Sequence, residues 1–205
     1  MLADDMARIS DDELKALREL RDKDAIRDVI ARYCHGIDRR NPDLIRTCYW
    51  PDAMDDHGSI VVTDIEAYIA ACMDVIDSCV VIHHHVGNML IRVDGNFARS
   101  EAYLLAHHRI EGPSEPYWRV APTILPPDMI GKWGDFFVGS RMVDLMEKRG
   151  SEWRVKHRSV VYDWYRVVEG QDWSRYPYEG HEGFHYAGHG MKDKAGELFA
   201  GHLGV

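Results

Sequence analysis

The chain has 205 residues, 45% of them hydrophobic and 10% aromatic, enough for one substantial domain with its own core. A formal net charge of −9, with no basic run to offset it, argues against a nucleic-acid partner. The start MLADDMARISDDELK is too acidic and polar for a signal peptide, no apolar run approaches the roughly 20 residues of a membrane span, and Cys34, Cys48, Cys72 and Cys79 lack CxxC spacing. A cytoplasmic protein with reduced thiols is predicted.

In chain order, Ser10 and Glu13 have capping-box spacing and open a charged helix, LKALRELRDK. Asp22 or Asp24 is placed to cap its continuation, Ala25–Asp38. Asn41-Pro42 reads as a fresh N-cap with proline at the first helical position, opening the short helix DLIRTCYW that Pro51 breaks. Asp52–Gly58 reads as a polar loop carrying His57. Thr63 and Glu66 make another capping box before the helix DIEAYIAACMDVIDS. From Cys79 the texture changes to strands. VVIHHHVGNMLIRV and ARSEAYLLAHHRI flank the turn Asp94-Gly95-Asn96, and KWGDFFVGSRMVDLMEKR and EWRVKHRSVVYDWYRV flank Gly150-Ser151, giving two hairpins. Between them the proline-rich stretch Glu111–Met129 is long enough to be a lid or binding loop.

Helices followed by four long strands imply an α+β fold: a cone-shaped α+β barrel, with N-terminal helices packed on a curved antiparallel sheet that encloses a pocket. Residues 1–168 form this domain, with the lid at 111–129, and residues 169–205 form a tail that closes the pocket or contacts a neighbouring subunit. In the tail His181, His185 and His189 are four apart, but the glycines among them disfavour the helix that would gather them on a metal. No metal and no cofactor is expected.

Two stretches carry the chemistry. In Ala25–Asp38, Ile26, Ile30, Tyr33 and Ile37 recur at helical spacing as a buried stripe. The stretch ends on Asp38, a carboxylate where the helix dipole favours a cation, and a broken local rule of this kind points to function. The alternative is a solvated turn residue beside Arg39 or Arg40. In Val80–Asn88 strand parity puts Val80, Ile82, His84 and Val86 on one face and Val81, His83, His85 and Gly87 on the other. The more apolar set faces the core, so His84 points inward, and adjacent histidines on opposite faces cannot share a zinc ion. His84 alone is as readily a core histidine; a facing carboxylate would change that.

The stretches AIRDVIARYCHGIDRRNPDLI, HHVGN and GSRMVDLMEKRGSEWRVKHRSVVYDWY resemble the SnoaL-like branch of the nuclear-transport-factor-2-like superfamily. The resemblance covers about Leu20–Tyr165. That group holds dehydratases, an isomerase, a dehydrochlorinase, polyketide cyclases, non-catalytic dioxygenase subunits and cofactor-free lyases that expel formaldehyde from diarylpropanes. In its lyases a helix tyrosine, an aspartate five residues on and a strand histidine act together, which implies catalytic roles for Tyr33, Asp38 and His84. His85 takes the histidine's place if the register slips by one. Tyr162 aligns where a related dehydratase has arginine, and Arg141 is the alternative cation.

The resemblance implies a cofactor-independent lyase that removes water or formaldehyde from a small phenolic aromatic compound. His84 would be the base, Asp38 its support and Tyr33 a hydrogen-bond donor. Tyr49, Trp50, Trp118, Trp133 and Tyr162 are candidate walls for the substrate, with core packing as the alternative for each. A non-catalytic binding subunit, and an isomerase or cyclase with the same dyad, remain open. A homodimer or homotrimer is expected.

Overall fold

The computed structural model describes residues 9–58, 61–110, 127–170 and 192–199. Most of the expected lid, 111–126, and of the tail, 171–191 and 200–205, lies outside the described residues, and with it Trp118, His181, His185 and His189.

Helix α1 runs unbroken over Asp11–Asp38. The capping box forms: the Ser10 hydroxyl accepts from the Glu13 N–H at 3.3 Å, and the Glu13 carboxylate accepts from the Ser10 N–H at 2.8 Å. No glycine or proline interrupts the helix before Gly36, so the expected restart at Asp22 or Asp24 does not occur. The Asp22 carboxylate accepts from Lys148 instead, at 2.7 Å. The helix stops where Arg40 turns left-handed, with φ 51°. The Asn41 N–H then reaches back to the Gly36 carbonyl at 2.8 Å. Asn41 caps α2, Pro42–Arg46, by accepting from the Leu44 N–H at 3.0 Å.

Two sequence expectations fail next. The helix ends at Arg46, and the presumed loop is largely strand β1, Tyr49–Asp56. Pro51 is tolerated because it falls where the β1 register breaks, between Tyr49 and Met54, so its missing N–H removes no ladder bond. A short β2, Val61–Val62, pairs with the end of β1. Helix α3, Ile65–Asp77, is capped by Asp64 rather than Thr63: the Asp64 carboxylate accepts from the Glu66 and Ala67 N–H groups at 3.0 and 3.3 Å. A carboxylate there also suits the positive end of the helix.

Both predicted hairpins form. Strands β3, Cys79–Asp94, and β4, Phe97–Ile110, turn at Gly95; β5, Gly134–Arg149, and β6, Glu152–Glu169, turn at Gly150. Both glycines have positive φ, 58° and 63°, which side chains resist. The strand order is β2-β1-β6-β5-β4-β3. The expected all-antiparallel sheet is therefore mixed, because β1 runs parallel to β6. With β2 and β3 as separate edges, the sheet curls round the helices without closing.

On β4, Ala98, Ser100, Ala102, Leu104 and Ala106 alternate onto the concave face. Apart from Leu104, these side chains are small and leave room for α1, whose Ile26, Ile30 and Ile37 pack into one core with Met142, Met146 and Val155. Full burial of each isoleucine contributes about 1.5–3 kcal/mol. The four cysteines are free. Burial pushes the Cys34, Cys72 and Cys79 thiols up to about 12 and raises that of Cys48. Among the described residues no helix is long and apolar enough to cross a membrane. A final short helix, α4, Lys194–Phe199, follows Asp193, which pairs with Arg39 just beyond the end of α1.

Candidate active site

Asp38 is the last residue of α1, and both its oxygens are taken up by β3. Oδ1 contacts His84 Nδ1 at 2.6 Å, and Oδ2 accepts the His84 backbone N–H at 3.1 Å. β3 is an edge strand, so that N–H has no ladder partner on its outer side and a side chain must supply one. The Arg40 guanidinium reaches the Cys79 carbonyl at the start of β3 and the Asp77 carboxylate at the end of α3. The left-handed turn thereby ties the helix end to the strand that carries His84.

The pair is shielded: the side chains of His84 and Asp38 are 10% and 18% exposed. An ionised carboxylate only accepts, so Nδ1 carries the proton and Nε2 is left as the basic nitrogen. The ring of His108, on β4, stands edge-on to His84 with centroids 5.5 Å apart. Burial, with smaller contributions from His84 and His107, pushes His108 down to about 3, so it is a neutral neighbour. His85 lies on the outer, exposed face, as strand parity requires.

Tyr33 does not join this pair. Its hydroxyl lies 2.6 Å from that of Tyr68, on α3. Its ring lies under the Arg158 guanidinium, 4.1 Å from the centroid. Arg158 is fully buried, grips Asp144 through two bonds of 2.8 Å, and donates to the Tyr49 hydroxyl at 3.2 Å. Tyr49 donates to Asp55 at 2.7 Å, and the second Asp55 oxygen contacts His57 Nδ1. The His57 ring stacks on Tyr68 with centroids 5.7 Å apart. Burial raises the three phenols well above their ordinary value, so they remain protonated donors. Within the Tyr33–Tyr68 contact one O–H lies between the oxygens, and Tyr68 also hydrogen-bonds the Cys72 thiol.

The remaining predicted residues divide. Tyr162 pairs with Ser140 on the concave face and is 45% exposed there. Trp50 instead packs at the β5–β6 hairpin end, between the guanidiniums of Arg149 and Arg154, and donates to the Glu147 carbonyl at 2.9 Å. Trp133 precedes β5, where its carbonyl accepts from Gly170 at 3.0 Å. Arg141 lies on the outer face, held by Glu101 and Asp163 at 2.9 and 2.8 Å, because strand alternation opposes it to its concave neighbours Ser140 and Met142. It supplies no cation to the interior. A cleft of about 310 Å³ at the β3–β4 hairpin end, lined by Arg92, Asp94, Phe97 and Arg99, lies eight or more residues along β3 from His84, roughly 26 Å away. It is separate from the polar groups of the cone.

Sequence reasoning missed Asp55, His57, Tyr68, Asp144 and Arg158. The alternation Ala53, Asp55, His57 was a usable signal, since it is a strand period, but Pro51 and Gly58 masked it as a loop.

Solved structures share this fold. A type 2 hexachlorocyclohexane dehydrochlorinase, LinA, superposes with a TM-score of 0.63 at 13% identity, over 80% of this chain and 99% of its own. A scytalone dehydratase-like protein of Novosphingobium aromaticivorans gives 0.58 at 18% identity, over 75% and 91%. An aromatic ring hydroxylase-like protein from the same organism gives 0.58 at 15% identity, over 73% and 94%. At these identities the likeness is one of fold. No curated protein matches the sequence. The model of the SnoaL-like domain matches residues 18–159, a span running from within α1 into β6 that contains the Asp38–His84 and Asp55–His57 pairs, and the chain accordingly belongs to the SnoaL-like domain family.

Proposed function

We propose that this protein is a cofactor-independent lyase that eliminates water or formaldehyde from a small phenolic aromatic compound. The observation that carries the reading is the Asp38–His84 pair: an imidazole on the concave face with Nδ1 held by a carboxylate at 2.6 Å. A carboxylate behind an imidazole fixes the tautomer and stabilises the imidazolium formed when Nε2 takes a proton. A phenol suits such a base, because its ring can delocalise the charge left behind while a substituent departs. The Tyr33 and Tyr68 phenols, kept protonated by burial, lie on the same concave face, and Tyr162 supplies an aromatic wall. The dehydratase-like and dehydrochlorinase folds among the similar structures agree with elimination chemistry.

The test incubates chelator-treated protein with phenolic diaryl and hydroxylated benzylic compounds, follows product mass and assays formaldehyde. Loss of water or formaldehyde is expected. His84→Ala should lower turnover by about 10²–10⁴-fold, the range for general acid–base catalysis, and Asp38→Asn should also lower it. Turnover that survives His84→Ala sinks the assignment. Products of unchanged mass would indicate an isomerase or cyclase using the same pair.

A further inference from the structure

The concave face holds a second histidine–aspartate pair. Asp55 is fully buried, and a buried carboxylate must be paired or hydrogen-bonded. Its partners are the Tyr49 hydroxyl and His57 Nδ1. The adjacent buried cation, Arg158, is engaged by Asp144 through two bonds. Packing alone would be served by an apolar residue at 55, whereas a carboxylate there engages the Nδ1 of His57 and stabilises its imidazolium, the form whose Nε2–H can donate. The His57 side chain is 24% exposed and lies against Tyr68, beside the Tyr33–Tyr68 pair. Its ring is held by a carboxylate, as that of His84 is, and is open enough to meet a ligand.

The placement of the two pairs gives this chemical meaning. His84 stands on β3, at one edge of the sheet, and Asp55 on β1, towards the other. Four strand steps separate them, about 19 Å along the sheet at 4.8 Å per step, shortened by the curl and by side chains reaching inward. Pairs so placed cannot serve adjacent atoms of one substrate. They can serve the two ends of a conjugated one.

We propose that His57, held by Asp55, is the general acid that protonates the departing oxygen at the opposite end of the aromatic ring from the oxygen that His84 deprotonates. This rests on the lyase reading above and narrows its substrate class to para-hydroxybenzyl compounds whose leaving oxygen needs a proton. In the step, His84 Nε2 takes the phenolic proton, and the O–H electron pair becomes the C=O bond of a quinone methide. The benzylic C–O bond breaks with its electrons on oxygen, and that oxygen takes the proton from His57 Nε2 and leaves as water. Imidazolium forms at His84 and neutral imidazole at His57; solvent exchange restores both.

The experiment compares two probes. 4-Hydroxybenzyl alcohol in ¹⁸O-labelled water reports cleavage as label incorporation, and its 4-nitrophenyl ether reports cleavage as 4-nitrophenolate, which needs no proton to leave. His57→Gln should slow the alcohol by at least ~10²-fold more than the ether, whereas His84→Gln should slow both alike. Equal slowing of both probes by His57→Gln, with His84→Gln still damaging, overturns the acid role and leaves the lyase reading intact. No wild-type turnover of either probe removes both. Independently of turnover, the His57 and His84 ring resonances, assigned from these variants, should both shift on binding 4-hydroxybenzyl alcohol. A His57 resonance that stays still overturns the proposal even in an active enzyme.

Discussion

At the scale of single residues, the concave face is a set of buried charges and dipoles that constrain one another. The Arg158–Asp144 pair is fully enclosed, so Asp144→Ala strands a guanidinium in the core. It should cost about 3–5 kcal/mol in chemical denaturation, while an Arg158→Met/Asp144→Leu double variant should recover much of that loss. His108 gives a pH dependence. The unfolded chain takes up its proton near 6.5, but burial holds the folded value to about 3. Between these values the unfolded state binds more protons, so stability falls as pH falls, by up to ~1.4 kcal/mol per unit from this group. Denaturation midpoints measured from pH 7 to 4 should show a shallower slope in His108→Gln. Among the candidate residues, the inward face of His84 was legible because a strand period assigns each histidine a face without reference to the rest of the fold. The partnership of Tyr33 with Tyr68 was not: it joins side chains on two helices 35 residues apart, and no local pattern encodes it.

At the scale of elements, the elbow between α1 and α2 places Asp38. A Cβ on Gly36 would lie 2.7 Å from Ile45 Cγ1 and 3.2 Å from the Ile45 backbone nitrogen. The side chain alone could move aside, but the backbone nitrogen of α2 cannot do so without shifting the elbow. Gly36→Ala should therefore destabilise by about 1–3 kcal/mol, read as a lower Tm, and should weaken Asp38–His84 coupling. The hairpins were readable because their turns need positive φ and carry glycine. The parallel β1–β6 pairing was hidden, since it joins residues about 100 apart in sequence and local patterning reports only neighbours. The α3 cap was misplaced by one residue because Thr63 and Asp64 are both acceptable caps, and the carboxylate won.

At the scale of the whole molecule, the outer face of the sheet carries a broad apolar surface. Leu90, Tyr103, Leu105, Val143 and Val161 are all exposed on strands whose other face is core. On the free half of α1, Leu17 and Leu20 are 52% and 59% exposed. Apolar surface of this extent, with the Arg141–Glu101–Asp163 cluster set within it, marks an association site, and we expect a second copy of the chain to cover it. Leu105→Glu should convert an assembled species to monomer by light scattering while leaving the far-ultraviolet circular dichroism unchanged. A wild-type chain that is already monomeric would refute the expectation. The overall α+β cone followed from element order alone; the openness of its sheet depended on β1, the strand hidden by Pro51.

The burial of the cysteines has a practical consequence for studying this chain. Thiolate is the form that attacks maleimides and iodoacetamides. With the Cys34, Cys72 and Cys79 thiols pushed to about 12, almost none of it is present at neutral pH. A single cysteine introduced at Ser151, in the exposed β5–β6 turn, should outcompete all four native thiols for a dye. Fluorescent labelling for ligand-binding or single-molecule work can then proceed on the native sequence, without first replacing the cysteines packed around the core.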